Sequence, residues 1–510
     1  VVQRSEQELV RFEKLEKLRA LGNPFPNSVK LNASTVEIAA AAPVTDPGKV
    51  TAGSVPLMTT AGRIVALRFM GKAAFVNILD SVGRIQAYVR LDEIGAESFE
   101  KFKDLDIGDI IEVSGLPFVT KTGEKSLWAK SARLLTKCLI PLPEKWHGLT
   151  DIEARYRHRY VDLIANPEVR DTFRKRAQII KEIRNFLDSR GFLEVETPVL
   201  QSVPGGADAR PFNTHHNALG LDMHLRISLE LPLKKLVVGG FDRVYELSRV
   251  FRNEGISTKH NPEFTMLEFY MAYATFEDLM NLSEELFTSL VRKICGGTKI
   301  TFNGKEIDFA GPWPRLSMQE SIHVIGGVSR DIDLSEIKNI HKVAETHKIH
   351  LPEKGDWGRC LMALWDELVE DRIVNPTFIT HHPFSISPLA RANDVDRKIT
   401  DRFELIIAGM EASNAFSELN DAVDQRGRFE SQANRKASGD QEAHDVDEDF
   451  LRALEYGLPP TAGQGIGIDR LTMLLTNSVS IRDVILFPTL KPEDHHLAEE
   501  KTEEAKESKV

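Results

Sequence analysis

Leu9, Phe12, Leu15, Leu18 and Leu21 recur every three residues among charged neighbours, and Gly22 and Pro24 follow them. That spacing predicts one amphipathic helix with a sharp stop. Residues 33–57, rich in Ala, Thr, Val and Pro, carry no period and read as an irregular connector. From about 58 to 140 the texture changes to short strands. Residues 75–79 and 85–89 flank Asp80-Ser-Val-Gly-Arg84, a hairpin pattern, and residues 109–113 and 125–128 flank the turn Lys121-Thr-Gly-Glu124. About five strands in roughly 80 residues predict a small closed barrel of the oligonucleotide-binding type. Such a barrel can also be simple packing, because fold does not fix function.

Residues 141–169 read as a linker that includes the basic run Arg155-Tyr-Arg-His-Arg-Tyr160. A helix over 171–190 then leads into strands and mixed elements up to about 492, with a helical insertion at about 311–375. Residues 493–510, rich in Glu, Lys and His, read as a frayed tail. The expected division is therefore 1–57 helix and connector, 58–140 barrel, 141–169 linker, 170–492 large domain and 493–510 tail.

Composition narrows the class. The chain has 510 residues, 42% hydrophobic and 28% charged, enough for two or more cores. No run approaches the ~20 apolar residues of a membrane helix, and the charged, helical start lacks the apolar core of a secretion signal. Three scattered cysteines, Cys138, Cys295 and Cys360, make no CxxC motif and suit a reducing cytosol, so a cytoplasmic location without membrane partners is expected. The net charge of −11 argues against a general nucleic-acid binder, although an acidic body can carry a local basic surface.

Three stretches carry candidate chemistry. Arg190-Gly-Phe-Leu-Glu-Val-Glu-Thr-Pro198, read alone, is a helix-to-strand junction that ends extended before proline. Val244-Tyr-Glu-Leu-Ser-Arg-Val-Phe-Arg-Asn-Glu254 and His260-Asn-Pro-Glu-Phe-Thr-Met-Leu-Glu-Phe-Tyr270 read as a hairpin with Arg252 and Glu254 at its loop. The period of two puts Phe264, Met266, Glu268 and Tyr270 on one face. Glutamate alternating with aromatics makes a poor core, because a buried carboxylate needs a partner. It makes a coherent floor for a substrate with a flat base, a phosphate and a cation. A solvated edge hairpin is the alternative. Asn414, Phe416 and Glu418 share a second face, and Glu404 and Glu411 form a carboxylate pair able to hold magnesium with substrate phosphates, or simply to be solvated. Gly463-Gln-Gly-Ile-Gly-Ile-Asp-Arg470 places glycines at alternate positions, which permits close backbone approach to a ligand. It matches neither GxGxxG nor a P-loop. Arg470, just inside an apolar helix start, calls for an anion.

Together and in this order these stretches resemble the three signature motifs of class II aminoacyl-tRNA synthetases. Residues 190–198 are similar to motif 1, residues 251–264 to motif 2 and residues 463–470 to motif 3. Resemblance to the lysine-specific, bacterial-type members extends from about 62 to 492, through Pro204-Gly-Gly-Ala-Asp-Ala-Arg-Pro-Phe212, Leu236-Val-Val-Gly-Gly240, Phe416-Ser-Glu-Leu-Asn-Asp421 and Ile481-Arg-Asp-Val-Ile-Leu-Phe-Pro488. It implies an α+β fold: an N-terminal OB-fold β-barrel and a class II catalytic domain with an antiparallel sheet flanked by helices. It implies ATP-dependent activation of L-lysine and transfer to the 3′-hydroxyl of its tRNA by a homodimer.

The resemblance also implies roles. Arg252 and Arg470 are the catalytic pair. Arg252, Glu254, His260, Asn261, Phe264, Glu404, Glu411 and Arg470 hold ATP, with Phe264 and Arg470 on either side of adenine. Glu404 and Glu411 carry Mg2+. Gly206, Glu230, Arg252, Glu268, Tyr270, Asn414, Phe416 and Glu418 hold lysine, and Glu230 with Glu268 supplies carboxylates for its ammonium. Arg68, Phe75, Gln86 and Glu124 meet the anticodon. Related enzymes that load a lysine analogue onto elongation factor P lack the barrel, a non-catalytic relative would have lost Arg252, Arg470 or a metal carboxylate, and an aspartate enzyme would need cations where Glu230 stands. Ser385 stands where the bacterial wording usually has a glutamate.

Overall fold

The structure is a computed structural model that describes residues 4–43, 55–143, 149–352, 355–440 and 442–492. The tail expected at 493–510 and parts of the expected connector (44–54) and linker (144–148) lie outside the described residues. The chain forms two compact units, residues 1–150 and 151–510.

In the first unit, α1 (Glu6–Ala20) starts in a capping box, Ser5 accepting from Glu8 N–H and the Glu8 carboxylate accepting from Ser5 N–H. The expected irregular connector contains a second helix, α2 (Thr35–Ala41), opened by the same device at Ser34 and Glu37. Thr35 donates from its N–H and its hydroxyl to Asp80, which fastens α2 to the barrel. The strands are β1 (Met58–Met70), β2 (Ala73–Leu79), β3 (Arg84–Arg90), β4 (Ile110–Val119) and β5 (Lys125–Thr136), closed in the order β1-β2-β3-β5-β4. Alternation decides which way each side chain points: Ala74, Val76 and Ile78 fill the barrel, while Phe75 and Asn77 stay half-buried outside. Between β3 and β4, α3 (Leu91–Ile94) and α4 (Ala96–Lys103) follow, and Phe99 and Phe102 of α4 plug the core.

The second unit opens with α5 (Ile152–Arg157) and α6 (Arg159–Ala165), where a linker was expected. The basic run is structural. Arg159 is buried, pairs with Asp162 at 2.6 Å and donates to the carbonyls of Arg482 and Leu486, while Tyr156 donates to Asp483. The run looks solvated in the sequence because two of Arg159's acceptors come from more than 300 residues away.

Next come α7 (Pro167–Asp188), β6 (Leu193–Glu194), a small sheet of β7 (Leu200–Gln201), β8 (Asn213–His216) and β9 (Leu221–Leu225), and α8 (Glu230–Val238). The motif hairpin is β10 (Arg243–Phe251) and β11 (Glu263–Ala272); α9 (Phe276–Cys295) and the ribbon β12 (Lys299–Phe302) and β13 (Lys305–Asp308) follow. Between β14 (Arg315–Ser317) and β15 (Thr377–Thr380) lie α10 (Met318–Val324), α11 (Ile337–His347) and α12 (Trp357–Leu368), around their own core of Ile322, Ile340, Leu364 and Trp365. The chain closes with β16 (Arg402–Ile407), β17 (Met410–Ser417), α13 (Ala422–Ala437), α14 (Glu448–Glu455), β18 (Thr461–Gly467), α15 (Ile468–Thr476) and α16 (Ile481–Val484).

The main sheet has eight strands in the order β14-β15-β16-β17-β18-β11-β10-β6, antiparallel except at its two edges. On β11, Leu267 and Phe269 enter the core with Ile179, Ile183 and Phe287 of α7 and α9. The residues between them, Met266, Glu268 and Tyr270, face the other side, as the period of two requires. Among the described residues no helix is long and apolar enough to cross a membrane.

Candidate active site

On that other side lies a cavity of about 480 Å³, within the range of small-molecule sites. Its floor is a lattice of register rows. One row runs Glu246–Glu268–Gly465–Asn414–Glu404 from β10 to β16, and the next runs Tyr270–Gly463–Phe416–Arg402. The alternate glycines of β18 thus stand between two strands that carry large side chains. A Cβ on Gly463 would sit 2.2 Å from the Tyr270 ring and 2.3 Å from Glu418 Oε1; one on Gly465 would sit 2.9 Å from Met266 Cε. Those side chains need the space. Gly206 is tighter: its φ is +87°, and a Cβ would meet Ser228 Oγ at 1.9 Å.

The cavity is lined by every candidate residue of this unit except Glu404 and Glu418. Arg252 ends β10, donates from Nε to Ile227 O at 3.3 Å, and lies 5.2 Å from the centre of the Phe264 ring. Burial lowers its pKa, and the nearby Glu254, Glu411 and Glu268 oppose that shift. Arg470 finds the anion its position demands. It donates to Glu411 O at 2.9 Å and meets the Glu411 carboxylate at 3.3 Å. His260 Nε2 lies 3.4 Å from Arg470, and burial holds this imidazole below its usual pKa, with Arg470 adding to the shift. Asn261 lines the cavity, but its amide is committed to the backbone: it donates to Glu263 O at 2.6 Å and accepts from Thr489 N at 3.2 Å. Glu254 sits in the exposed loop.

The two carboxylates expected to receive an ammonium differ. Glu268 accepts from Leu229 N–H at 2.9 Å and from the Tyr270 hydroxyl at 3.2 Å. Burial pushes its carboxyl up to about 7, helped by the repulsion of Glu230. Glu230 already has a cation, because Lys234 Nζ lies 2.5 Å from its Oε1 and also contacts Glu418. Lys234 is a site residue that the sequence reading missed; the visible signal was the i, i+4 spacing from Glu230. Arg402 was missed too. It donates to Asn414 Oδ1 at 3.0 Å and Ser387 Oγ at 2.9 Å, and it holds Glu404 at 2.6 Å. That arginine lines the cavity, whereas Glu404 does not. Asp469 explains how α15 is held in place: it accepts from Thr265 N–H at 2.7 Å and pairs with Arg176 at 2.7 Å. Ser385 does not line the cavity and donates to Asp356.

In the barrel, Arg68, Phe75 and Tyr88 are register neighbours across β1, β2 and β3. Phe75 and Tyr88 stack with ring centres 4.8 Å apart, and Gln86 donates to Ser126 Oγ at 2.9 Å. Glu124 is exposed at the β4–β5 turn, where its N–H meets Thr120 Oγ1.

The site is thus a cavity on an antiparallel sheet, floored by glycine rows and lined by Arg252, Arg402, Arg470 and several carboxylates. Residues 151–491 match tRNA synthetases class II (D, K and N), residues 58–135 match the OB-fold nucleic acid binding domain, and the chain belongs to that synthetase family. Among curated relatives, a lysine–tRNA ligase of Pelotomaculum thermopropionicum is 55% identical over 85% of this chain and 86% of its own. One from Tolumonas auensis is 53% identical over 94% and 95%, and one from Salmonella arizonae 50% identical over 96% and 97%.

Proposed function

We propose that the chain is a lysine–tRNA ligase: it activates L-lysine with ATP to lysyl-adenylate and transfers the lysyl group to the 3′-hydroxyl of the terminal adenosine of its tRNA. The observation that carries the reading is the convergence of Glu230 and Glu268 on one cavity that also holds Arg252 and Arg470, with Glu418 buried against its floor. Carboxylates suit a substrate with a cationic side chain, and arginines suit phosphate.

The lysine carboxylate is ionised at neutral pH and attacks the α-phosphate in line, so no general base is needed. The protein contributes positioning and charge stabilisation. Arg252 grips the α-phosphate and the amino-acid carboxylate, Phe264 and Arg470 enclose adenine, and Glu254 and His260 border the nucleotide. Gly206, Glu268, Tyr270, Asn414 and Phe416 surround the amino acid. Asn261 acts through the loop backbone that it ties down.

Glu404 and Glu411 stand on neighbouring strands, and each meets its arginine through one oxygen. Asp366, pushed up to about 6 by burial and by Glu370 and Glu404, adds to a negative field around Glu404. Among the described residues no three His, Cys, Asp or Glu form a closed metal cage. Two carboxylates completed by substrate phosphates is a magnesium-type donor set, so these residues fit Mg2+. When bound with ATP, it would neutralise phosphate charge.

In the barrel, Arg68, Phe75, Gln86 and Glu124 meet the anticodon. Phe75→Ala should slow tRNA charging about tenfold or more, the scale of one lost base stack, while pyrophosphate exchange without tRNA stays near wild type. Both rates falling together would make Phe75 structural. A homodimer is expected too, since Leu193, Leu200, Leu221 and Phe241 around the motif 1 segment are exposed. Sedimentation at micromolar concentration should give the mass of two chains, and a monomer alone would contradict it. The sparse cysteines, all unpaired, agree with a cytoplasmic enzyme. The direct test of the whole reading is charging of lysine-accepting tRNA with labelled lysine; tRNA that stays uncharged would refute it.

A further inference from the structure

α8 begins at Glu230 and presents Lys234 one turn later on the same face. That face is turned inward. Lys234 is fully buried, its Nζ is 2.5 Å from Glu230 and in contact with Glu418, and the rings of Phe416 and Phe450 stand 5.6 and 5.8 Å away. Among the described residues the other charged or titratable groups facing this cluster are Glu268 and Tyr270 from β11 and Arg402 from β16; α14 contributes apolar side chains, Phe450 among them.

One buried ammonium here touches two carboxylates, with Glu268 a third beside them, and burial with their mutual repulsion pushes the Glu418 carboxyl well above its usual range. A cluster kept for stability alone would not bury the second, because an unmatched charge is costly to desolvate. The excess points at the cavity floor. Glu418 Oε1 is buried without a hydrogen-bond partner, and it lies 2.3 Å from where a Cβ on the cavity-lining Gly463 would stand.

We propose that Lys234 is a built-in counter-ion that shares Glu230 and Glu418 and so leaves that carboxylate pair one cation short, which makes it a positioning and specificity-determining residue that admits one substrate ammonium. This rests on the cavity being the lysine site. With Lys234 in place a neutral side chain leaves the second carboxyl holding its proton, whereas an ammonium replaces that proton and gains an ion pair. Without Lys234 the two carboxylates face each other unmatched, and a shared proton or a solvent cation fills the gap. A neutral chain then pays less, and lysine has to displace the occupant.

The test compares wild type, Lys234→Met and the double variant Lys234→Met/Glu230→Gln in lysine-dependent pyrophosphate exchange, with norleucine as the competitor that lacks only the ε-amine. The single variant should raise the lysine KM about tenfold or more, leave the ATP KM within about twofold, and shrink the preference for lysine over norleucine about tenfold or more. The double variant again holds one excess carboxylate. It should regain most of the lysine KM and of the preference, although it is one more change away from the native packing. Losses that add instead of cancelling would overturn the proposal and leave Lys234 a packing residue. If the single variant does not fold, the double variant decides alone: lysine preference near wild type supports the charge count, and its loss overturns it. Wild type lacking lysine-dependent exchange would sink the site assignment itself, a result separate from any behaviour of Lys234.

Discussion

Arg252→Ala should depress pyrophosphate exchange at least about a hundredfold, or about 2.7 kcal/mol, the scale of losing one donor that stabilises a transition state. The side chain is positioned for that role by its surroundings. Arg252 N–H donates to Pro262 O at 2.8 Å, which closes the β10–β11 hairpin. Its guanidinium is held by Ile227 O and shelved beside Phe264. No carboxylate is paired with it among the described contacts, so its charge remains for substrate. Circular dichroism should be unchanged, and the loss should appear mainly in kcat. Near-normal exchange would mean that another residue holds the phosphate.

Glu268→Gln keeps shape and removes one charge. The lysine KM should rise about thirtyfold or more, because a desolvated charge partner is worth roughly 2–5 kcal/mol, while the ATP KM moves far less. The pH dependence carries the sharper signature. Burial lifts the Glu268 carboxyl to about 7, so below that pH a proton occupies the group that must receive an ammonium. The raised pKa therefore weakens lysine binding on the acid side only. Between about pH 8 and about pH 6 the wild-type lysine KM should rise about tenfold, the competition expected from one proton. The Gln variant should lose that slope. A lysine KM indifferent to both the substitution and pH would remove Glu268 from the amino-acid site.

Much of this architecture was legible where one strand or one hairpin decides the matter. The period of two on residues 264–270 separates Leu267 and Phe269 from Met266, Glu268 and Tyr270, and the sheet sorts them that way. The alternate glycines of 463–467 read as room for a ligand; at Gly463 the space is taken by Tyr270 and Glu418, which no local pattern could name. Phe75 sharing a face with Asn77 placed it outside the barrel core.

Most of the misreadings share one cause. Lys234, Arg402 and Arg159 are each defined by partners from other elements, so their charges looked solvated or went unnoticed. Residues 152–165 passed for a linker because their buried arginine answers to carbonyls near residue 484. α2 was missed although its capping box, Ser34 to Glu37, was in plain view; its apolar content is too short to show a period. Glu230 and Glu268 looked equivalent as two carboxylates near an ammonium, and only the fold reveals that one of them already has a lysine.

The central claim is that this cavity activates lysine, and ATP–pyrophosphate exchange measured against each of the twenty amino acids tests it most directly. Lysine alone should support rapid exchange, with aspartate and asparagine, the substrates of the sister branches, at background. Exchange driven by either of those two, or by none of the twenty, would contradict the account.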